Sequence, residues 1–411
     1  MTKRALFFLL LTFGALGATA QQRPMKPRPD AFPPVEETLV TKSISMATTV
    51  EEMSDWDRYP TYTIYLKMMQ RWAETYPTLC HIDTIGTSVQ GRLILSMYID
   101  SRPNDNRYRP EFFYSATIHG DELTGYVMML HLIDTLLAGY GTNEQYTSLL
   151  DRTRISINPL ANPDGTYKNN ENNVRRATRY NANNVDLNRN YPDPFAQTKT
   201  AIEPENEAMI AYLTAHQFRL SANLHGGAEV MNYPWDSFTS KTVRHDADQM
   251  SHPAEDWWIE VCKRFVDTSW TYNESHFRDT YTCGYTAGGD WYPISGGRQD
   301  YVNAVHNCLE LTMELSSEKT PPSEQLPEYW NLLQHSLVNY IDEIHNLPEN
   351  IGIGQPQLPV VDNRVKVYPN PTQGTARVVT GEKETLIDLS GYPTGIYYIK
   401  VGDKVARVIK N

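Results

Sequence analysis

Two stretches of this sequence run an apolar strand straight into a histidine, and that pattern narrows the fold more than any other feature. One is Phe113-Tyr114-Ser115-Ala116-Thr117-Ile118-His119-Gly120-Asp121-Glu122, and the other is Ser221-Ala222-Asn223-Leu224-His225-Gly226-Gly227. A helix is expected from Glu122 to about Ala138, which puts His119 and Glu122 at a strand-to-helix corner. Such a corner can aim an imidazole and a carboxylate at one point. After His225 the glycines turn the chain sharply. His119, Glu122 and His225 together have the make-up of a three-ligand zinc site with a fourth position left for water. A lone His-x-x-Glu is a weak signal among eleven histidines. His81, His131, His216, His252, His276 and His306 show no ligand-like spacing and read as surface or hydrogen-bonded core residues. The case for zinc rests on what accompanies the pair.

Strand-like stretches at 92–100, 112–118, 154–158 and 219–225 alternate with helical stretches at 122–138 and 203–216. This alternation predicts an α/β domain on a mixed, twisted central sheet flanked by helices, with ligands at strand ends. An amphipathic helix is expected over 58–78, carried by Tyr65, Met68, Met69, Trp72 and Tyr76 and ended by Pro77. A late helix over 326–345 closes the domain.

A chain of 411 residues has room for one domain of about 300 residues and a small second one. Residues 1–20 read as a signal peptide. Lys3 and Arg4 supply the positive start, Ala5 to Leu16 the apolar core, and Ala18-Thr19-Ala20 the small-residue cleavage site. Residues 21–57 read as a leader, 58–345 as the catalytic domain, 346–364 as a Pro- and Gly-containing linker, and 365–411 as a small all-β unit. No later segment reaches about 18 consecutive apolar residues, so no transmembrane span is expected. The formal net charge of -12, without a basic stripe, argues against a nucleic-acid partner. Cys80, Cys262, Cys283 and Cys308 leave one or two disulfides open, and no CxxC pattern suggests a cysteine-bound metal.

Three further segments carry a resemblance. They are Asn162-Pro163-Asp164-Gly165 with Arg179 to Asn190, then His225 to Asp236, then Gly289 to Asp300 leading to Glu310-Leu311-Thr312-Met313-Glu314-Leu315. In this order the set resembles the zinc metallocarboxypeptidases of the carboxypeptidase A superfamily, and most closely the regulatory branch with carboxypeptidases N, E, D and M. The resemblance covers roughly residues 58–345. It implies one Zn2+ per chain on His119, Glu122 and His225, with peptide or protein C-termini as substrate. It also implies Glu314 as general base, Arg179 as the group that polarises the scissile carbonyl, and Tyr292 as a mobile tyrosine that closes over substrate. Asn188 and Arg189 would bind the terminal carboxylate, and an amide beside a guanidinium fork suits that task. Glu310, four residues before Glu314 on the same strand face, is expected to be structural.

Side-chain preference is a separate inference. Asp236 follows His225 by eleven residues and Gln299 precedes Glu314 by fifteen. In the regulatory branch, residues at those places resemble the acid and amide of a pocket for C-terminal Lys or Arg. Arg298 departs from the branch, where an apolar residue is usual; it would either weaken the basic preference or point into solvent. The regulatory branch carries a transthyretin-like β domain after the catalytic one, and no room is expected for it here, a second departure. The tail segments Val365-Lys366-Val367-Tyr368, Gly395 to Val401 and Val405 to Ile409 resemble a shortened sorting domain of type IX secretion cargo. That resemblance implies the type IX machinery as a partner, and a secreted or outer-surface location in a Gram-negative bacterium. Two rival readings stay open: a peptidase for cell-wall or modified peptides, and a non-catalytic peptide-binding protein on the same scaffold. The second requires a missing ligand or base, and none is missing.

Overall fold

The computed structural model describes residues 43–410, apart from 106, 196–200, 239–250, 279, 307, 349–364, 369–371, 381–382, 391–394 and 402–403. The expected signal peptide, most of the leader and most of the linker lie outside the described residues. In chain order the first elements are a short parallel pair, β1 (Met46–Ala47) and β2 (Tyr59–Pro60), then α1 (Tyr62–Thr75), β3 (Cys80–Thr87), β4 (Leu93–Ile99) and β5 (Glu111–Ala116). Next come α2 (Thr124–Gly139), α3 (Glu144–Arg152), β6 (Arg154–Asn158), α4 (Pro163–Thr166) and α5 (Pro204–Ala215). They are followed by β7 (Phe218–His225), β8 (Ala228–Tyr233), α6 (Glu255–Trp270), β9 (Tyr285–Ala287) and α7 (Gly288–Trp291). The large unit ends with α8 (Arg298–Val305), β10 (Leu309–Ser316) and α9 (Leu326–Asp342).

Eight strands form one mixed sheet in the order β3-β4-β6-β5-β7-β10-β8-β9. β6, β5, β7 and β10 are parallel, whereas β4 pairs antiparallel on both sides and β8 pairs antiparallel with β10. From β5 the chain goes to β6 on one side and later to β7 on the other. Connections therefore part at β5, and the C-terminal ends of β5 and β7 open a crevice. Register fixes what meets there: Ala116 lies opposite Leu224, and His225 lies opposite Glu314.

Both faces of this sheet are buried, which is why its central strands read as near-continuous apolar runs. Phe112 and Tyr114 join the core shared with α2 and α9, while Phe113 packs on the other face with Phe218, Tyr212 and Leu187. Helix α1 follows the spacing expected of it. Ile64, Tyr65, Met68, Met69 and Trp72 are buried, and Thr61 caps the helix by accepting the Ile64 N–H at 3.3 Å.

The four expected strands and the four expected helices are present with shifted ends. β5 stops at Ala116 because Thr117 takes a left-handed φ of 65°. α2 begins at Thr124 rather than Glu122, since the intervening residues form the corner. Strand β3 gave no clear signal: it is an edge strand with an irregularity between Thr84 and Gly86, and its burial does not alternate. The packed body also starts ahead of residue 58, with Ile44, Ala47, Met53 and Trp56 buried. Cys80, Cys262, Cys283 and Cys308 are all free, so none of the open disulfide pairings is formed. Among the described residues no helix is long and apolar enough to cross a membrane.

The tail is all β. β11 (Val365–Tyr368), β12 (Thr375–Thr380) and β13 (Lys383–Asp388) make one antiparallel sheet, and β14 (Gly395–Val401) pairs with β15 (Lys404–Lys410). Ala376 and Val378 are buried while Thr375 and Arg377 are exposed, the period-two alternation of a half-buried strand.

His131 of α2 lies between Trp56 at 4.2 Å and Trp330 at 3.9 Å, both stacked on it, and burial pushes its imidazole down to about 3. The unfolded chain takes up this proton near 6.5 and the folded one only near 3. Stability therefore falls as pH drops through that window. His131→Phe, which keeps the stack, is expected to lose less stability than wild type between pH 6.5 and 3, read from urea unfolding midpoints; parallel pH curves would refute this.

Candidate metal centre and substrate cleft

The corner that carries His119 and Glu122 is braced from behind by Asn162-Pro163-Asp164-Gly165. Gly120 and Gly165 meet backbone to backbone: a Cβ on Gly120 would lie 2.4 Å from the carbonyl carbon of Gly165. Asn162 Nδ2 donates to the Ile118 carbonyl at 3.2 Å and to the Arg179 carbonyl at 3.4 Å, while its Oδ1 accepts the Gly165 N–H at 2.9 Å. Thr166 Oγ1 donates to the Gly120 carbonyl at 2.9 Å. One small motif thus fixes the histidine corner and the backbone of Arg179 together.

Three donor atoms converge in front of this brace. Nδ1 of His119 and Nδ1 of His225 are 3.0 Å apart, and Oε2 of Glu122 lies 3.0 Å from the first and 2.8 Å from the second. All three side chains are buried, and they form a group able to hold a metal ion. Donors on a tetrahedral zinc with bonds of roughly 2.0–2.1 Å sit about 3.3 Å apart, so the spacing and the His, Glu, His chemistry fit zinc. Burial pushes the His225 imidazole down to about 4, so it stays the neutral ligand a metal needs. Burial alone would raise the Glu122 carboxyl, but the two imidazoles outweigh it and hold the group well below the usual carboxylate range.

The surroundings orient these donors. His119 Nε2 lies 3.1 Å from Asp186 Oδ1, and the Asn223 amide lies 2.8 Å from His225 Nε2. With Nδ1 facing the centre, each ring uses its other nitrogen to hold its tilt. Lys319 Nζ donates to Glu122 Oε1 at 3.0 Å, leaving Oε2 turned toward the imidazoles. Asp186, Asn223 and Lys319 carried no motif signal. Asp186 stands inside the run around Asn188, but only the fold shows that it serves a histidine and an arginine at once.

Arg179 donates through Nε to Asp186 Oδ2 at 2.8 Å and brings a terminal nitrogen to 3.2 Å from His119 Nδ1. Glu314 lies on β10 in register with His225. Burial, followed by the Glu314 carboxylate nearby, pushes the Tyr292 hydroxyl up to about 12. Asn188 and Arg189 sit on a single 3-10 turn capped by Asp186, whose Oδ1 accepts the Asn188 N–H at 3.0 Å. Asn188 Oδ1 accepts the Arg298 N–H at 2.9 Å, which turns its NH2 end the other way. Arg189 donates to the Asn188 carbonyl at 2.7 Å.

Asp236 and Gln299 come together in a second buried spot. Gln299 Nε2 donates to Asp236 Oδ1 at 2.8 Å. Burial, then the nearby Asp300 carboxylate, raises the Asp236 carboxyl well above its ordinary range, and burial raises Asp300 to about 6. Arg298 does not point into solvent. It is 0% exposed, and its guanidinium donates to both oxygens of Glu310, at 3.0 and 2.9 Å. Its charge also lies 5.2 Å from the centre of the Phe113 ring. Glu310 is thereby the partner of Arg298, and it also accepts from Ser221 Oγ at 2.8 Å.

Removing Arg298 would leave a buried carboxylate uncompensated. Arg298→Met is expected to lose about 3–5 kcal/mol of unfolding free energy, and the double variant Arg298→Met, Glu310→Gln to regain most of it. Urea unfolding checks this; equal losses in the single and double variants would refute it.

Comparison with known proteins agrees with the geometry. Residues 65–336 match the family described as zinc carboxypeptidase. Mouse carboxypeptidase M is 37% identical over 282 residues, which is 66% of this chain and 62% of that protein. Carboxypeptidase D of Anas platyrhynchos is 36% identical over 285 residues, or 67% of this chain and 20% of that protein. The human carboxypeptidase N catalytic chain is 32% identical over 316 residues, 70% of this chain and 69% of that one. The chain thus spans less than two thirds of the first two relatives. A crystal structure of thrombin activatable fibrinolysis inhibitor shares the fold with a TM-score of 0.59 at 17% identity, covering 71% of this chain and 76% of that one. Carboxypeptidase A from Helicoverpa armigera does so at 0.57 and 17%, covering 72% and 76%. The family match takes in every site residue from His119 to Glu314, and this chain belongs to the zinc carboxypeptidase family.

Proposed function

We propose that this chain hydrolyses the C-terminal peptide bond of peptides or proteins and releases Lys or Arg. The observation that carries this reading is the convergence of His119, Glu122 and His225 beside Glu314, which faces His225 across paired strands. Zinc on these donors supplies Lewis acidity to a substrate carbonyl and to water.

The rest falls to the side chains. Glu314 takes the proton of the attacking water and hands it to the leaving amine. Arg179, pinned at Nε by Asp186, presents its remaining donors to the oxyanion as charge develops there. Asn188 and Arg189 grip the terminal carboxylate, the amide end of Asn188 being aimed by the Arg298 N–H. Tyr292 closes over the bound terminus. Asp236, buried and held by Gln299, meets the ammonium or guanidinium of the departing residue. An incoming cation stabilises the ionised form of this buried acid, an interaction that an apolar side chain cannot make. The cell-wall and non-catalytic readings gain no support from these residues.

Peptides ending in Arg and in Phe, assayed with and without chelator, test this reading. Faster release of Arg, abolished by chelator and restored by zinc, is expected. Faster Phe release would remove the pocket assignment, and indifference to chelator would remove the zinc.

We also infer export to the outer surface of a Gram-negative cell through the type IX machinery. The support is the Lys3-Arg4 start with its apolar run and Ala-x-Ala site, together with the alternating strands after Val365. Deleting 365–411 is expected to leave peptidase activity intact and to abolish surface delivery, followed by cell fractionation. Unchanged delivery would exclude a sorting role for the tail.

A further inference from the structure

The side-chain pocket contains a second acid that the proposed reaction leaves without a part. Asp300 follows Gln299 on α8 and is 2% exposed. Its Oδ1 accepts the Asp236 N–H and its Oδ2 the Ser237 N–H, both at 2.8 Å. Gln299 meanwhile supplies the hydrogen bond to the Asp236 carboxylate at 2.8 Å. One turn of α8 therefore holds Asp236 twice, by its side chain through Gln299 and by its main chain through Asp300.

Backbone also crowds this carboxylate. A Cβ on Gly288 would lie 1.9 Å from Asp236 Oδ1, so the carboxylate has no room to swing that way. The backbone around Asp236 is pinned further: Gly289 N–H donates to the Trp235 carbonyl at 2.8 Å, and Ile294 N–H to the Asp236 carbonyl at 3.0 Å. Ser237 Oγ adds a bond to the Ile294 carbonyl at 3.0 Å. Two buried carboxylates in one another's field resist being charged together, and an entering cation relieves both.

The geometry points to Asp300 as a specificity-determining residue that positions Asp236 through two main-chain hydrogen bonds and keeps a second carboxylate in its field, so that the pocket selects a ligand bringing positive charge. This rests on the Lys or Arg preference proposed above. Only a carboxylate suits the place, because its two oxygens meet two N–H donors. An amide would turn one of its own donors toward them.

Steady-state kinetics of zinc-loaded Asp300→Asn on the paired Arg-ended and Phe-ended peptides test the assignment. KM for the Arg-ended peptide is expected to rise about tenfold, the worth of one charge-assisted hydrogen bond. Values for the Phe-ended peptide should stay within about twofold and zinc content should be unchanged. Equal losses on both peptides would overturn the proposal, because a plain scaffold role affects both. So would an unaltered Arg-to-Phe ratio. Should Asp300→Asn not fold, Asp300→Ser keeps one acceptor in a smaller side chain and serves the same comparison. Failure of both variants to fold would assign Asp300 to the scaffold and overturn the proposal. Wild type separates the two readings: if it prefers Phe, the Lys or Arg preference itself falls. If wild type prefers Arg and the variant does so equally, only the role of Asp300 falls.

Discussion

The cleft depends on holding two imidazoles and one carboxylate within about 3 Å of one another where water does not reach. Left alone, a buried carboxylate would sooner take a proton, and buried histidines would sooner turn outward. The fold prevents both. Glu122 receives Lys319 on one oxygen and faces the rings with the other. His119 and His225 are tethered through their far nitrogens by Asp186 and Asn223. The Gly120–Gly165 contact then stops the corner from relaxing. What results is a set of donors arranged for a cation before any arrives, which lowers the ordering cost of binding one.

The parts of this arrangement that could be read from sequence are those encoded locally. A strand leading toward His119, a helix leaving soon after Glu122, and a second strand running into His225 are short patterns, and each appears, with β5 ending at Ala116 and α2 starting at Thr124. The central sheet was legible for the same reason, since helices on both faces give its strands plain apolar runs. Strand β3 was not, because an edge strand with an irregularity at Thr84 to Gly86 has no alternation to read. Asp186, Lys319 and Asp300 were missed for a different reason. Each acts on a partner at least 60 residues away or through a backbone N–H, as when Asp186 reaches His119 across 67 positions. No spacing rule records such contacts.

Arg298 shows how a departure from a family pattern can be misread when taken one residue at a time. A cation beside Gln299 looks like a threat to a pocket proposed to take cations. Its backbone N–H does serve the site, by orienting Asn188, but its guanidinium turns away into the core and finds Glu310. The acid four residues before Glu314 was expected to be structural, and it is the other half of the same pair. Neither residue's placement can be understood without its partner.

Two buried acids that α8 touches can then be weighed against each other. Glu310 is wholly enclosed and answered inside the chain by a two-pronged guanidinium. Asp236 is nearly as enclosed, yet its hydrogen bond comes from a neutral amide, and another acid lies close behind it. Burial costs are similar for the two carboxylates, so the difference lies in where the compensating charge comes from. Near Glu310 the sequence provides it. Near Asp236 the cation that tempers the carboxyl is Arg189, which the proposed reaction commits to the substrate's own carboxylate. In the proposed reaction a site that is chemically incomplete in this sense is completed by a ligand carrying a terminal carboxylate at one end and a cation on its side chain, which is the form of a C-terminal lysine or arginine.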